Sequence, residues 1–437
     1  MRRYEYQAWT NPVDKQVYQH LTRIIDASGV VVTEVTYNGS KVASYTEGQN
    51  RFQYSYNTTT RTATKTDSSG TNWQFVYNAD QIITQRRIRA ASSSWLTTAY
   101  EFDSNGNPTK VTDPAGQVWL SSYDAQGRLL SSTNPLGETT TYTYEADKPW
   151  PQTVTSPGGR KLVYSYDERG NPLTITDPAG QVSRMEWSAG GDLLRATDPL
   201  GNSVQLTYTP MGQIASLTDS EQRTTAFEYD ALGRRTLTIL PGGERQSAVY
   251  DAKGRQVAAI DGEGNTSRFE YGPAGRLRAV VDPKGFRTEF AYDGYGRMIT
   301  EKRPDGSQIR YAYRVDNLPS QKVTPNGEQI ISLYDMAKRR RQLEIPGITY
   351  SYTYTANNQL ASVSGSDGTA SSFTCDAAGR RLSATDQGRT IALSYSEEGE
   401  IAGLDVAGEQ QMFARNSRGQ ITGLSFAGIE YHFGYDA

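Results

Sequence analysis

The fold is decided by the stretch Tyr123–Tyr144, which reads YDAQGRLLSSTNPLGETTTYTY. It begins with Tyr-Asp-x-x-Gly-Arg, passes through Asn-Pro-x-Gly and ends on a Tyr-x-Tyr pair, where the next copy begins. The aromatic anchor recurs from Phe102 to Tyr334 in eleven steps, which are all of 21 residues except one of 22. Such a fixed period predicts a repeat protein in which each copy is one supersecondary unit.

Five copies carry the anchor pattern most clearly. We expect the ring to pack between hairpins, the aspartate to accept hydrogen bonds from its own turn, and the glycine to adopt a positive φ. The arginine is expected to reach a neighbouring carboxylate or turn carbonyl. These structural anchors are Tyr123, Asp124, Gly127 and Arg128; Tyr166, Asp167 and Gly170; Tyr229, Asp230, Gly233 and Arg234; Tyr250, Asp251, Gly254 and Arg255; and Tyr292, Asp293, Gly296 and Arg297.

A second turn lies between successive anchors. Its Asp/Asn-Pro-x-Gly spacing is typical of a type I turn, because proline presets φ and the first side chain accepts from the backbone. Two segments of about six residues remain in each copy, which is the usual length of a strand. The turn residues are Asp113, Pro114 and Gly116; Asp177, Pro178 and Gly180; Asp198, Pro199 and Gly201; and Asp282, Pro283 and Gly285.

The number of copies predicts the architecture. About twenty anchors imply about forty strands, and a sheet of that size must coil because each strand adds roughly 20 to 25° of twist. Residues two apart share a face, so pairs such as Tyr142 and Tyr144 put aromatic rings on one side of the sheet. The sequence therefore predicts an all-β fold: a tandem β-hairpin array of ~21-residue repeats coiled into a spiral sheet or hollow shell, with rings of neighbouring hairpins stacked.

Composition excludes several classes of protein. Hydrophobic residues make up 36% and the mean hydropathy is −0.65, so a large apolar core is not expected. The net charge of −3 gives no steering toward nucleic acid. With only Cys375, His20 and His432, the chain cannot build a disulfide framework and is poorly supplied for metal or triad chemistry. We expect no cofactor, no metal site, no membrane span and no classical signal peptide in this chain.

Repeat quality divides the chain into three parts. Residues 1–100 carry divergent repeats, residues 101–355 regular ones, and residues 356–437 degenerate ones in which Cys375 occupies an anchor position. Neither end shows a cap, so we expect the chain to be a piece of a longer protein. The basic runs Arg86–Arg89 and Lys338–Arg341 are each expected on a solvated face.

Together these motifs resemble the YD-repeat (Rhs-repeat) family, which includes bacterial Rhs polymorphic toxins, cocoon subunits of insecticidal toxin complexes, and teneurins. The resemblance covers nearly the whole chain and is strongest from Phe102 to Tyr354. It implies a spiralling β-sheet shell around a toxic C-terminal domain. Family toxins continue into a core segment whose aspartates perform self-cleavage. We expect that segment to be missing from this chain, which ends at Ala437, so no catalytic aspartate is carried over and the turn aspartates are expected to keep a structural role.

The resemblance also implies partners and a location. The partners would be the chain's own C-terminal toxin or effector and the remaining shell repeats, with a secretion-system spike, a chaperone and glycans as further candidates. The location would be outside or at the surface of a bacterium, reached through a specialised secretion system.

Three classes of function are compatible with the repeat. The first is a non-enzymatic scaffold that encapsulates an effector, and the second is a carbohydrate- or cell-surface-binding adhesive module. Short aromatic hairpins also occur in choline- and glucan-binding arrays, but those need a tryptophan in most repeats. Here all six tryptophans lie between Trp9 and Trp187. The third class, an enzyme, is not expected, because the two histidines lie near opposite ends of the chain.

Overall fold

The computed structural model describes residues 2–13, 15–26 and 29–435. Met1, Asp14, Ala27, Ser28, Asp436 and Ala437, which belong to the predicted first and last segments, lie outside the described residues. The chain forms two units, each built from an early and a late stretch. Unit 1 is Met1–Glu101, Thr112–Gly116 and Ser267–Ser371, and unit 2 is Phe102–Val111, Gln117–Thr266 and Ser372–Ala437. The division into 1–100, 101–355 and 356–437 stays a prediction about repeat regularity.

The described residues form 41 β-strands and no helix. The first twenty are β1 Arg3–Thr10, β2 Val17–Ile25, β3 Val31–Asn38, β4 Lys41–Glu47, β5 Asn50–Asn57, β6 Thr62–Thr66, β7 Asn72–Tyr77, β8 Ile83–Ala91, β9 Ser94–Phe102, β10 Pro108–Thr112, β11 Val118–Tyr123, β12 Leu129–Thr133, β13 Thr139–Tyr144, β14 Pro151–Thr155, β15 Lys161–Tyr166, β16 Pro172–Thr176, β17 Val182–Trp187, β18 Leu193–Thr197, β19 Ser203–Tyr208 and β20 Ile214–Thr218. The remainder are β21 Thr224–Tyr229, β22 Arg235–Ile239, β23 Arg245–Tyr250, β24 Gln256–Ile260, β25 Thr266–Tyr271, β26 Leu277–Val281, β27 Arg287–Tyr292, β28 Met298–Lys302, β29 Gln308–Tyr313, β30 Pro319–Val323, β31 Gln329–Tyr334, β32 Arg340–Ile345, β33 Ile348–Tyr354, β34 Leu360–Gly365, β35 Ala370–Cys375, β36 Arg381–Asp386, β37 Arg389–Tyr395, β38 Ile401–Val406, β39 Glu409–Arg415, β40 Ile421–Phe426 and β41 Ile429–His432.

Strands that follow one another in the chain pair antiparallel in one sheet, as in β11 with β12 and β12 with β13. The register shifts by one residue immediately before the anchor, for example between Ser122 and Tyr123. This bulge bends the strand and increases its twist. The predicted all-β array of tandem antiparallel hairpins is confirmed.

Both turns of the repeat have the same closed geometry. In the anchor turn, the Gly127 amide donates to the Asp124 carbonyl at 3.0 Å and Gly127 has a φ of 79°. In the Asp-Pro turn, the Gly180 amide donates to the Asp177 carbonyl at 2.9 Å and Gly180 has a φ of 83°. A four-residue turn whose last residue is a left-handed glycine is one of the commoner hairpin connections.

The two faces of the sheet differ in chemistry. Along β13, Tyr142 and Tyr144 are half-buried, whereas Thr141 and Thr143 on the other face are exposed. On that second face, hydroxyl groups of neighbouring strands pair, as in Thr143 with Thr153 at 2.6 Å. Within the described residues, the buried hydrophobic side chains are Ile25, Phe52, Ala63, Ala279 and Ile309. The wall is therefore thin, as the low hydropathy predicts.

Candidate functional site

The anchor residues build a repeated clamp around each turn. The Asp124 carboxylate accepts from the backbone amides of Gln126 at 3.0 Å and Arg128 at 2.9 Å through Oδ1. Its Oδ2 accepts from Arg128 Nε at 2.6 Å. The arginine Nε to aspartate Oδ2 contact recurs in Arg234 to Asp230 (2.6 Å), Arg255 to Asp251 (2.7 Å) and Arg297 to Asp293 (2.7 Å), while Asp167 accepts from Asn171 Nδ2 at 2.8 Å.

The same arginine connects one repeat to the next. The Arg128 guanidinium lies over the Tyr144 ring, 4.7 Å from its centroid, and donates to the carbonyls of Glu145 at 3.0 Å and Lys148 at 2.7 Å. A cation over an aromatic face adds to the hydrogen bonds it makes there. Equivalent stacks join Arg234 to Tyr250 (4.8 Å), Arg297 to Tyr313 (4.9 Å), Arg339 to Tyr354 (4.9 Å) and Arg380 to Tyr395 (4.7 Å).

The anchor tyrosine also bonds backward to the preceding repeat. The Tyr144 hydroxyl donates to the Leu129 carbonyl at 2.8 Å, and most other anchors repeat this over 15 residues. These bonds run from Tyr166 to Pro151, Tyr208 to Leu193, Tyr229 to Ile214, Tyr250 to Arg235, Tyr313 to Met298 and Tyr334 to Pro319. Tyr123 and Tyr292 hold the same position without a hydroxyl hydrogen bond to the described residues.

Ring stacking between neighbouring hairpins, which the sequence predicts, is not the recurring contact. In the regular repeats one cluster has it: Trp150 lies 5.6 Å from Tyr166, which lies 6.1 Å from Tyr164. At Tyr144, Tyr250 and Tyr313 the arginine lies over the ring face and a backbone carbonyl accepts from the hydroxyl. The sequence pattern identifies the anchor tyrosine but not the group that its hydroxyl contacts. That group is a backbone carbonyl, which every residue type possesses, so no residue pattern marks it.

The predicted Asp-Pro turn residues lie at the other end of each hairpin. Asp198 Oδ1 accepts from the amides of Leu200 at 2.9 Å and Asn202 at 2.8 Å, and Asp282 Oδ1 does the same with Lys284 and Phe286. Asp113 accepts from Ala115 at 2.9 Å. The final glycines have positive φ: Gly116 83°, Gly180 83°, Gly201 89° and Gly285 88°.

These bonds set the electrostatics of the turns. The hydrogen bond from Asn202, with those from the backbone, lowers the pKa of the half-buried Asp198 carboxyl. The hydrogen bond from the Arg255 side chain lowers the pKa of Asp251 in the same way. Hydrogen bonds to the charged form favour ionisation. The turn aspartates are ionised caps, an arrangement suited to holding backbone rather than moving protons.

Within unit 2, turns of the early stretch contact turns of the late stretch, and we call these contacts the unit 2 seam. Arg160 makes a bidentate pair with Glu400 at 2.9 and 3.0 Å. The partners lie 240 to 242 residues apart throughout. The other contacts are Ser156 with Glu398 at 2.7 Å, Arg380 with Glu138 at 3.2 Å and Arg418 with Asp177 at 2.7 Å.

The seam carboxylates are held in their charged form. The hydrogen bond from Arg160 lowers the pKa of Glu400. Burial raises the pKa of Asp177, but the backbone amides of Gln181 and Ala179 together with Arg418 outweigh burial, so the net shift is downward. Sequence reasoning missed the seam, because no local spacing relates residues 240 positions apart.

A cavity of about 650 Å³ opens beside the unit 2 seam. Leu162 and Ile175 contribute an apolar surface, and Asp177 and Arg418 contribute charge. Asp177 and Arg418 form an ion pair with each other at 2.7 Å, so neither of them offers an unpaired charge to a ligand in the cavity.

Unit 1 has corresponding contacts, which we call the unit 1 seam. Lys338 Nζ lies 2.5 Å from Asp67 Oδ2, and the Ala115 amide donates to Asn357 Oδ1 at 3.1 Å. The prediction that the basic run Lys338–Arg341 is a solvated face is wrong for its first half. The side chains of Lys338 and Arg339 are only 21% and 15% exposed, because Lys338 reaches Asp67 and Arg339 reaches Asp335.

No group of three or more histidine, cysteine, aspartate or glutamate side chains suited to a metal ion occurs among the described residues. In the same part of the chain, no helix has the length and apolar character needed to span a membrane.

Comparisons with known proteins agree with this geometry. The family model for the teneurin YD-shell matches residues 118–271 and 186–337, which together span half of the chain, and the RHS repeat model matches residues 354–391. No curated protein matches the chain by sequence.

Solved toxin structures share the fold. In the Photorhabdus luminescens Tc holotoxin pore with a TccC3 mutation, the similarity has a TM-score of 0.70 at 13% identity and covers 97% of this chain. A TcdB2–TccC3 structure without the hypervariable C-terminal region gives a TM-score of 0.67 at 13% identity over 97% of this chain. The chain spans only 28% and 26% of those two chains. With its 21-residue anchor pattern, its uninterrupted hairpins and a family model that covers half of its length, the chain belongs to the YD-repeat family.

Proposed function

We propose that the chain is a non-enzymatic wall segment of a protein shell that encloses an effector polypeptide. The observation that carries this proposal is a single sheet of consecutive hairpins, clamped at nearly every repeat and closed by seams within each unit. A wall needs continuity and lateral strength rather than a reactive centre. The anchor aspartates accept hydrogen bonds from the backbone amides of their own turns, which suits a structural role rather than catalysis.

The two faces of the sheet suit a container. The hydroxyl face carries pairs such as Ser122 with Ser131 at 2.6 Å and Thr207 with Ser216 at 2.7 Å. Paired hydroxyl groups present a polar surface with little charge. The similarity to TcdB2–TccC3 supports the same role, because those chains share the fold. We further propose a bacterial toxin origin, a secreted or cell-surface location and an effector partner linked to the shell.

Imaging and proteolysis test this function together. In electron micrographs the purified chain should form a curved wall with a solvent-filled concave side, and a solid globule or a straight rod would contradict the proposal. A disordered reporter fused after Ala437 should be digested more slowly by protease than the free reporter. The charge-reversed seam variant Glu400→Arg should remove that protection, whereas Glu221→Arg, at an exposed turn, should retain it.

Glycan-array binding separates the shell from the adhesive alternative. Saturable binding that soluble sugar competes away, together with an unprotected reporter, would favour adhesion over encapsulation.

A further inference from the structure

The unit 1 seam contains a lysine between two buried aspartates. Lys338 Nζ lies 2.5 Å from Asp67 Oδ2 and 3.6 Å from Asp316 Oδ2. Both aspartate side chains are fully buried, and within the described residues the cation that lies within 4 Å of either Oδ2 is Lys338. From this geometry we propose that Lys338 and Asp67 form an intramolecular isopeptide bond, with Asp316 as the proton carrier.

Lys338 departs from the repeat in a way that this role explains. It stands where the anchor turn has glycine, as at Gly127 and Gly254, and it keeps the left-handed backbone with a φ of 66°. A non-glycine residue in that conformation is strained, because its Cβ crowds the neighbouring carbonyl oxygen. The position places the lysine side chain on a turn 271 residues earlier in the chain.

Asp67 is arranged as the acceptor carboxyl. Its Oδ1 accepts three hydrogen bonds, from the Ser69 amide at 3.0 Å, the Ser69 hydroxyl at 2.7 Å and the Thr71 amide at 2.9 Å. Donors on this oxygen stabilise the negative charge that develops when a nucleophile attacks Cγ. The other oxygen, Oδ2, faces Lys338 and is free to leave.

Asp316 is arranged as the base. Arg314 Nε donates to its Oδ1 at 3.1 Å, which leaves Oδ2 directed at the lysine nitrogen. The Trp73 ring centroid lies 5.2 Å from Lys338 Nζ, and the lysine side chain is only 21% exposed. Burying an ion pair is costly, so converting it to a neutral amide removes the desolvation penalty.

The step balances without an oxidant or a co-reactant. The Lys338 ammonium gives one proton to Asp67 Oδ2, and the resulting amine attacks Cγ. The nitrogen–carbon bond forms, Asp316 carries a second proton from the nitrogen to Oδ2, and the Cγ–Oδ2 bond breaks. The ammonium and carboxylate thereby become a secondary amide and one water molecule, and Asp316 returns to its starting state.

Intact mass spectrometry of the purified chain tests the proposal directly. We expect a mass lower than the sequence mass by one water molecule. Trypsin should yield peptide 66–86 joined to peptide 323–339, since an acylated Lys338 is no longer cleaved. The full sequence mass with two separate peptides would overturn the proposal and leave an ordinary ion-pair cluster.

Three variants assign the roles. Lys338→Arg keeps the positive charge but lacks the amine, so it should show the full sequence mass. Asp316→Asn keeps the size of the side chain but lacks the carboxylate that carries the proton, so it should also show the full sequence mass. Arg418→Lys places an amine beside Asp177 in the unit 2 seam, where only one carboxylate faces it, and should lose no additional water. Circular dichroism establishes that each variant is folded. Loss of water in folded Asp316→Asn would overturn the role of Asp316.

Discussion

At the scale of single residues, two tyrosines on one strand differ in one hydrogen bond. The Tyr144 hydroxyl donates to the Leu129 carbonyl at 2.8 Å, whereas the Tyr142 hydroxyl makes no hydrogen bond within the described residues. Both rings lie half-buried on the same face of β13. The pair therefore isolates the contribution of the hydroxyl bond between repeats.

We expect Tyr144→Phe to lower the local unfolding free energy by about 1 kcal/mol, because the Leu129 carbonyl loses its donor. Tyr142→Phe should change it by less than about half of that, since no bond is lost. Hydrogen exchange of β12 and β13, read by mass spectrometry, measures both. Equal effects of the two variants would show that the ring rather than the hydroxyl joins the repeats.

The turn Leu240–Glu244 contains two adjacent glycines in different backbone conformations. Gly243 has a φ of 84° and Gly242 does not have a positive φ, and a Cβ at either would meet open space. Gly243→Ala should therefore destabilise this hairpin by about 1 to 2 kcal/mol through backbone strain alone. Gly242→Ala should leave it unchanged or stabilise it by up to about 1 kcal/mol, because the unfolded chain loses freedom. Hydrogen exchange rates in β22 and β23 distinguish the two effects. Destabilisation by Gly242→Ala but not by Gly243→Ala would contradict the backbone conformations assigned to this turn.

At the scale of strands and turns, sequence alone is enough for the hairpins and insufficient for the seams. The Asp177–Gly180 turn can be predicted from its local sequence, because the hydrogen bonds that form it all join residues within a five-residue segment. Arg160 and Glu400 can be recognised as charged, but their pairing depends on accumulated twist over 240 residues. A small change in twist per strand, summed over many strands, would select another partner.

The Arg160–Glu400 pair is the seam contact we expect to matter most at this scale. Its two side chains are 24% and 28% exposed and are joined in bidentate geometry, so Arg160→Gln should lower the free energy of opening the unit 2 seam by about 1 to 2 kcal/mol. The matched control Arg223→Gln removes an arginine that is 59% exposed beside Asp219, and it should change little. Faster exchange near residues 396–400 in the first variant only is the expected result. Equal exchange in both would mean that apolar packing holds the seam.

At the scale of the whole molecule, stability comes from repetition rather than from a core. The described residues bury few hydrophobic side chains, while the same carboxylate-to-amide turn recurs along the chain. Each clamp contributes little to the free energy of folding, and contacts with the neighbouring repeats hold it in place, as in other quasi-one-dimensional repeat proteins. A condition that weakens every clamp should consequently lower the stability of the whole protein.

Acid is the condition that acts on every clamp at once. Hydrogen bonds from Arg234 and Arg255 lower the pKa of Asp230 and Asp251, and those from Asn171 and Asn202 lower the pKa of Asp167 and Asp198. Because the folded pKa lies below the unfolded value of 3.8, the unfolded chain binds more protons in this range. The stabilisation is complete above that value and is lost as pH falls through the folded pKa values.

We therefore expect unfolding below about pH 4 to be steep, since many like carboxyl groups take up protons together. Far-UV circular dichroism against pH at fixed ionic strength measures it. Replacing one clamp aspartate, as in Asp251→Asn, should lower stability at pH 7 and have a smaller effect in acid, where the native carboxyl is protonated as well. A sheet that keeps its spectrum at pH 2, or a variant whose deficit is the same at both pH values, would show that the ionised caps do not hold the wall together.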